Sequence, residues 1–500
     1  MQDAWFQHPE WWFAPDGAYD TIITASFAHF LDIDSSQHND DLPAIDRILI
    51  YDQLPRHVYR KQYASHVIAY FLQKALQVAN SLFARDMDQY SDEQLCFALL
   101  PFRHANDFDL ITNLVLPRVW NRICKTQTKS RMLQRFIKAT YQRMPIIAFP
   151  FSYQCSNRSP IPSIPAVIYN NFRDILAFCP NGQPLRPECK FIFDHDFHTD
   201  GTVILSLSGG VDSMVASWIL KNMQIKIVAV HINYANRQTS DREAAFVMDW
   251  CTRYLDIPCH VRRLSEIQRA PCMAHGLRDV YESYTRNVRY QCYKDISSQY
   301  AFDPLVVLGH NKDDRLENIF TNIAHRAKYD NLDGMDSINQ VDGITFWRPL
   351  LDWSKDDIIK FAHAHNIPHL PNSTPEWCQR GQIRNTVVPT LSKWHPEFIP
   401  GLHHISKEMQ ELYSILDNSV DMVISTSPAA NTYIVPDAHM HSALFWKRFL
   451  NKIHIYASHK SIENLCRAKT NQKVVLNKVT VMLIHKEIND DSFCVCKIFV

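Results

Sequence analysis

The run Ser206-Leu207-Ser208-Gly209-Gly210-Val211-Asp212-Ser213 concentrates the residue types that hold phosphate. It follows an apolar stretch at 203–207 and precedes a helix expected over 214–221. Adjacent glycines let a backbone approach an anion closely and aim consecutive N–H groups at it. Ser208 and Ser213 add hydroxyl donors, and a helix N-terminus adds partial positive charge. Asp212 would repel bare phosphate, so its expected task is to hold Mg2+ against phosphates. No lysine stands where a Gly-x4-Gly-Lys-Ser/Thr loop requires one. The bland alternative is a Gly-Gly turn followed by a Ser/Asp helix cap.

Such a loop needs a sheet behind it, and the chain supplies one. Short apolar runs at 203–207, 225–231 and 305–309 alternate with helical stretches, the pattern of a parallel sheet with crossover helices. Upstream the pattern differs. Only Gly17 and Gly182 precede residue 200, while nine glycines lie between Gly201 and Gly401. Apolar residues recur at helical spacing over 19–31 (Ile22, Ile23, Phe27, Phe30, Leu31) and over 60–78, so an all-helical region is expected. Downstream, helices are expected at 442–452 and 461–467, and strands at 473–484 and 493–500. The expected architecture is multidomain: all-α over 1–148, a Pro/Ser-rich linker over 149–198, an α/β domain over 199–395 and a small α+β region over 396–500.

Composition sets limits. Apolar residues make up 46% and charged residues 21%, values of ordinary globular proteins. There is no run of eighteen apolar residues and no basic-then-apolar start, so neither a membrane span nor a secretory signal is expected. Thirteen cysteines include no C-x-x-C pair, which suits reduced thiols in the cytoplasm. The zero net charge hides two basic segments: nine Lys and Arg with no acid between Leu110 and Phe172, and nine with only Glu463 between Ala438 and Lys486. Such segments suit an anionic partner.

The S-G-G-V-D-S motif resembles that of the PP-loop ATP pyrophosphatases, and the order of further motifs is similar to that of the tRNA(Ile)-lysidine synthetases. His231-Ile-Asn233-Tyr-Ala-Asn-Arg237 resembles their H-x-N-x-x-x-R turn. Glu282, Arg286, Arg289 and Tyr290 resemble E-x-x-x-R-x-x-R-Y. Leu308 to Asn318 resembles A-H-H-x-D-D-Q-x-E-T, with Asn311, Arg315 and Asn318 departing from it. Gly334-Met335, Arg348-Pro349-Leu350-Leu351, Asn372-Ser-Thr-Pro375 and Arg380-Gly-Gln-Ile-Arg384-Asn385 complete the series, over about 203–391. The resemblance implies a Rossmann-like domain in which the C2 oxygen of a tRNA cytosine attacks the α-phosphate of ATP. An amine, L-lysine in that family, then displaces AMP. Residues 5–143, with Asp52-Gln-Leu-Pro-Arg-His57, resemble an uncharacterised bacterial family of tetratricopeptide-like helices whose hallmark is D-Q-F-P-R-N; Leu54 and His57 depart from it. That implies a scaffold or protein-docking module.

On this reading Ser208, Gly209, Gly210, Val211, Asp212 and Ser213 bind ATP, with His231 and Asn233 at the neighbouring strand end. His231 is equally a packed or capping residue. His310, Asp314 and Glu317 (i, i+4, i+7) would share a helix face. Asp314 and Glu317 take Mg2+ or the attacking ammonium, with Asp212 as metal partner; the alternative is an acidic helix start. Arg286 is expected in the catalytic set, and Arg289, Arg380 and Arg384 contact phosphate or RNA through guanidinium forks or form surface ion pairs. In the C-terminal region Phe445, Trp446, Lys447 and Arg448 are expected to grip tRNA, or the aromatics to be core. A basic stripe of Arg131, Arg135 and Lys138 either meets RNA phosphates or faces solvent. Two other readings remain: a PP-loop thiolase or ligase with another nucleophile, for which paired cysteines are lacking, and a non-catalytic RNA-binding scaffold.

Overall fold

The expected helices of the first region are present in the computed structural model. It describes residues 1–149 and 202–500, apart from 13–16, 32–37, 61–64, 84–86, 126–129, 327–330, 371–378, 427–431, 436–440, 469–472, 477–478, 489–490 and 500. The expected linker at 149–198 therefore lies almost wholly outside the described residues. Helix α1 spans Asp20–Phe27 and tightens into a 3-10 turn at Ala28–Leu31. Its apolar stripe is only partly a core face: Ile23 is buried while the adjacent Ile22 is exposed, because neighbouring residues lie about 100° apart around a helix. Helices α2 (Leu54–Val58), α3 (Ser65–Phe83), α4 (Asp92–His104), α5 (Leu116–Lys125) and α6 (Arg131–Arg143) follow. In α3 the buried Phe71, Ala75, Ala79 and Leu82 recur every three or four residues, which puts them on one face. A capping box of Ser91 and Gln94 starts α4.

Two compact units divide the chain. The first holds Met1–Gly309, Ile338–Pro349 and Asp356–Pro371. Its sheet has the order β3-β2-β1-β4-β6-β5, with β1 (Thr202–Ser206), β2 (Lys226–Asn233), β3 (Cys259–Arg263), β4 (Leu305–Val307) and β6 (Ile344–Trp347) parallel and β5 (Ile338–Val341) antiparallel at the edge. Val203, Ile204 and Leu205 are all buried, as in a parallel strand covered on both faces. The crossovers include α7 (Val211–Asn222), α8 (Ser240–Asp249) and α9 (Arg278–Gln299). The chain leaves β1 toward β2 on one side, and β4 lies on the other, so the carboxyl end of β1 is a topological switch point, where open α/β sheets bind ligands.

Within this unit the helical half and the sheet half share one apolar core, in which Phe136, Ile137 and Tyr141 of α6 belong with Val288, Cys292 and Ile296 of α9. Polar bonds fasten the seam. Tyr141 Oη donates to the Glu266 carbonyl (2.7 Å), Gln134 Nε2 to the His275 carbonyl (3.0 Å), and Arg262 Nε to the Ile147 carbonyl (3.2 Å). Lys138 pairs with Asp279 at 2.7 Å, so one member of the expected basic stripe is spent on the seam.

The second unit holds His310–Ser337, Leu350–Lys355 and Asn372–Val500. It contains α10 (Lys312–Ala324), α11 (Phe398–Ser425), α12 (Ala443–Lys452) and α13 (His459–Cys466), and an antiparallel sheet of order β7-β10-β9-β8. The strands are β7 (Thr432–Val435), β8 (Lys473–Leu476), β9 (Val479–Ile488) and β10 (Asp491–Phe499). The single strand expected at 473–484 is two antiparallel strands, β8 and β9.

Candidate active site

The loop after β1 is closed by its own hydroxyls. Ser213 Oγ accepts from Ser208 N (3.2 Å), lies 3.0 Å from Ser208 Oγ and donates to the Gly210 carbonyl (3.0 Å). Ser208 Oγ accepts from Gly210 N (3.3 Å). Helix α7 begins at Val211, three residues earlier than expected, with Gly210 at its cap supplying no side-chain hydrogen bond. A helix start with no side-chain cap offers its donors to an external anion. Gly209 has φ +86°, a left-handed conformation that glycine adopts without strain, and an added Cβ there would meet Leu370 and Val247.

Sequence reasoning missed three parts of this loop. Gly309, just after β4, lies against it: a Cβ there would sit 2.9 Å from Ser213 N and 3.0 Å from the Asp212 carbonyl carbon. Leu370 pairs with the loop as a short parallel bridge to Gly210, its N–H donating to the Gly209 carbonyl at 2.9 Å. Tyr293 Oη lies 2.7 Å from Ser206 Oγ at the strand end. The absence of a side chain at Gly309 was the one available signal.

His231 is buried, and its Nδ1 lies 2.8 Å from the Leu207 carbonyl. Burial holds its pKa below the ordinary value, so the ring is neutral and donates through Nδ1. It thus braces the strand exit that carries the loop. Asn233 is also committed locally, with Nδ2 donating to Asp241 (2.7 Å) and Oδ1 accepting from Ala235 N (2.9 Å). On α9, Arg286 is exposed and Arg289 lies 3.4 Å from Tyr234 Oη.

In the second unit, α10 starts at Lys312 with Asn311 as its cap. Asn311 Oδ1 accepts from the N–H groups of Asp313 (2.9 Å) and Asp314 (3.1 Å), and Asp314 Oδ2 accepts from Asn311 N (3.0 Å). This cap puts His310 before the helix, so the expected i, i+4, i+7 face does not include it. The expected RNA or ATP contact Arg384 instead holds Glu317 through Nη2 (2.6 Å) and Nε (3.0 Å), and lies 4.0 Å from Asp314. Arg380 Nε is 3.6 Å from Glu317 Oε2. Burial raises the Glu317 carboxyl, against the pull of Arg384. Arg315 joins Asp333 (3.0 Å) to Asp352 (3.2 Å) and so ties two loops together. Further along, Phe445 and Trp446 are buried core residues, Arg448 is bound to Asp417, and Lys447 is exposed. The aromatic grip on tRNA is therefore not formed by that pair, because α12 turns its apolar face into its own core. The segment at 372–375 lies outside the described residues.

Residues 186–391 match the family model described as a PP-loop domain, and residues 1–149 match one described as a bacterial protein of unknown function. A tRNA(Ile)-lysidine synthase of Staphylococcus aureus (strain MRSA252) is 26% identical over 236 residues, 46% of this chain and 53% of that protein. One from Streptococcus pyogenes serotype M3 is 27% identical over 228 residues, 45% and 49% of the two chains. The chain spans about half the length of these curated relatives. Among solved structures, a U34-tRNA thiolase from Methanococcus maripaludis with its [4Fe-4S] cluster aligns over 45% of this chain and 76% of that one, at 18% identity and a TM-score of 0.35. No helix among the described residues is long and apolar enough to cross a membrane. At the carboxyl edge of its parallel sheet the chain thus carries a PP-loop domain similar in sequence to that of the tRNA(Ile)-lysidine synthases.

Proposed function

We propose that the chain is an ATP-dependent tRNA-modifying ligase that adenylates the C2 oxygen of a cytidine and replaces AMP with L-lysine, giving lysidine. The observation that carries this reading is the glycine-lined, glycine-capped start of α7 at a switch point of the sheet. Pyrophosphate leaves when the base oxygen attacks the α-phosphorus, and AMP leaves when the amine attacks C2. An amide-type oxygen is a poor leaving group, and AMP makes it a good one. The loop residues 208–213 bind and orient the phosphates, and their N–H groups and hydroxyls neutralise charge that builds on leaving pyrophosphate. In this proposal Arg286 and Arg289 contact phosphate or the base, Asp314 and Glu317 take Mg2+ or the attacking ammonium with His310 in the catalytic set, Arg380 and Arg384 bear on ATP or RNA, and Lys447 and Arg448 contact tRNA.

Mg2+ at the phosphates fits the donor set. Among the described residues no three His, Cys, Asp or Glu side chains converge into a metal cage, and Mg2+ on a nucleotide needs only one or two carboxylates beside phosphate oxygens and water. Asp212 and Asp314 are the proposed holders; the ion supplies charge neutralisation when bound. The reading is tested by supplying purified protein with ATP, Mg2+, lysine and bulk tRNA. Pyrophosphate is expected only when tRNA is present, and Asp212→Ala should reduce its release on the order of 10²-fold or more. Release that ignores tRNA rejects the reading. Mass analysis of nucleosides from the treated tRNA identifies the base and the added group together.

A further inference from the structure

The phosphate loop is clamped from several elements of the first unit. His231 Nδ1, from β2, meets the Leu207 carbonyl at 2.8 Å. The Leu370 N–H meets the Gly209 carbonyl at 2.9 Å, and Gly309 leaves room beside Ser213. These contacts hold the loop to the sheet and its connections. One further contact ties it to a helix. Tyr293 Oη, from α9, donates to Ser206 Oγ at 2.7 Å. Ser206 is the last residue of β1, two positions before Ser208.

The proposed reaction needs an α-phosphorus held by the loop and a base oxygen brought in line with it. Arg286 and Arg289, the residues assigned to phosphate or base, both lie on α9. Tyr293 follows Arg289 by four residues and Arg286 by seven, so all three share one side of that helix. Tyr293 is fully buried. Its ring meets Phe346 of β6 edge-on, with centroids 6.3 Å apart, which holds the ring while the hydroxyl reaches β1. Burial pushes the phenol up against the pull of Arg289, so it is protonated and able to donate at neutral pH. A buried hydroxyl left without a partner is costly, and the bond to Ser206 removes that cost. The bond is thus a strut from the arginine-bearing side of α9 to the stem of the loop.

We infer that Tyr293 is a positioning residue: through Ser206 it sets where the phosphate loop stands relative to Arg286 and Arg289, and so aligns the α-phosphorus of the nucleotide with the attacking oxygen. That role rests on the reaction proposed above, in which Tyr293 touches neither substrate. The bonds among Ser208, Gly210 and Ser213 do not pass through Tyr293, so the loop keeps its grip on phosphate without the strut. What the strut supplies is alignment, on which rate depends steeply.

Tyr293→Phe, Ser206→Ala and the double variant, compared with the parent chain in tRNA-dependent pyrophosphate release and in melting temperature, test this. Expected is a kcat lowered roughly tenfold in each variant, with the KM for ATP within about twofold of the parent. Ser206→Ala should melt lowest, because it leaves the phenol buried without its acceptor; the double variant removes both partners and should regain stability. Its kcat should nevertheless stay as low as in either single variant, since the same strut is missing from all three. A merely structural bond would let kcat recover together with the melting temperature. Such recovery, a parental kcat in Tyr293→Phe, or a change confined to the KM for ATP overturns the inference. Tyr293→Phe, which keeps the buried ring, decides if Ser206→Ala does not fold. A parent chain that releases no pyrophosphate with tRNA rejects the proposed reaction itself, and the role of Tyr293 falls with it.

Discussion

Burial holds the imidazoles of His57, His104 and His231 below the ordinary value of 6.5, and each keeps a short Nδ1 contact, to Asp20, Asp52 and the Leu207 carbonyl. In the unfolded chain these rings take up protons near pH 6.5, while the folded ones resist until lower pH. The unfolded state then binds more protons, so stability rises with pH through this window. The contribution is complete above about 6.5 and is lost as pH falls through that value toward the folded pKa values. The melting temperature should therefore be lower at pH 5.5 than at pH 7.5; equal values would show that the three rings do not titrate as their burial requires. Much of the loop's geometry was legible at this scale, because Ser208, Gly209, Gly210 and Ser213 set its turn and internal hydrogen bonds through residue type and adjacency. The pairing of Arg384 with Glu317 was not, since 67 residues separate them and only the tertiary path brings them within reach. The neutral, carbonyl-bound state of His231 was equally hidden, because the Leu207 carbonyl it meets lies just beyond the neighbouring strand.

Strand β1, its loop and α7 were readable as one element from an apolar run, two glycines and a helical stretch. What the pattern could not supply was the second wall of the loop. Gly309 lies just after β4, and its missing side chain allows the chain leaving that strand to approach the start of α7. Gly309→Ala puts a Cβ 2.9 Å from Ser213 N, a backbone atom that no rotamer change moves. The expected cost is about 1–3 kcal/mol of strain, with the proposed tRNA-dependent pyrophosphate release reduced on the order of 10²-fold by the displaced loop. Pyrophosphate release kinetics and a melting curve check this together; a variant with parental kinetics would mean that the approach has no role. Two element boundaries escaped the sequence for related reasons. Alternating apolar residues continue across the break between β8 and β9, and the polar start of α10 concealed that Asn311 caps the helix and leaves His310 outside it.

At the scale of the first unit, composition marked a helical region and an α/β region but gave no sign that they share a core. Apolar periodicity shows that a helix has a buried face, not which neighbour covers it, and the α6–α9 seam joins residues more than a hundred positions apart. Tyr141→Phe removes the donor to the Glu266 carbonyl while keeping the ring, at a cost of about 1–2 kcal/mol. Far-UV ellipticity, dominated by helices, and tryptophan fluorescence should both report this unit's melting at the same lowered temperature. Separate transitions for the helical and sheet halves would deny the shared core.

That seam makes each half a reporter on the other. A molecule that binds only the folded helical half adds RT ln(1 + [L]/Kd) to the free energy of unfolding of everything that unfolds with it. Nucleotide bound at the sheet's edge would in the same way slow digestion of peptide bonds in the helices, and a ligand of the helices would protect the sheet from heat.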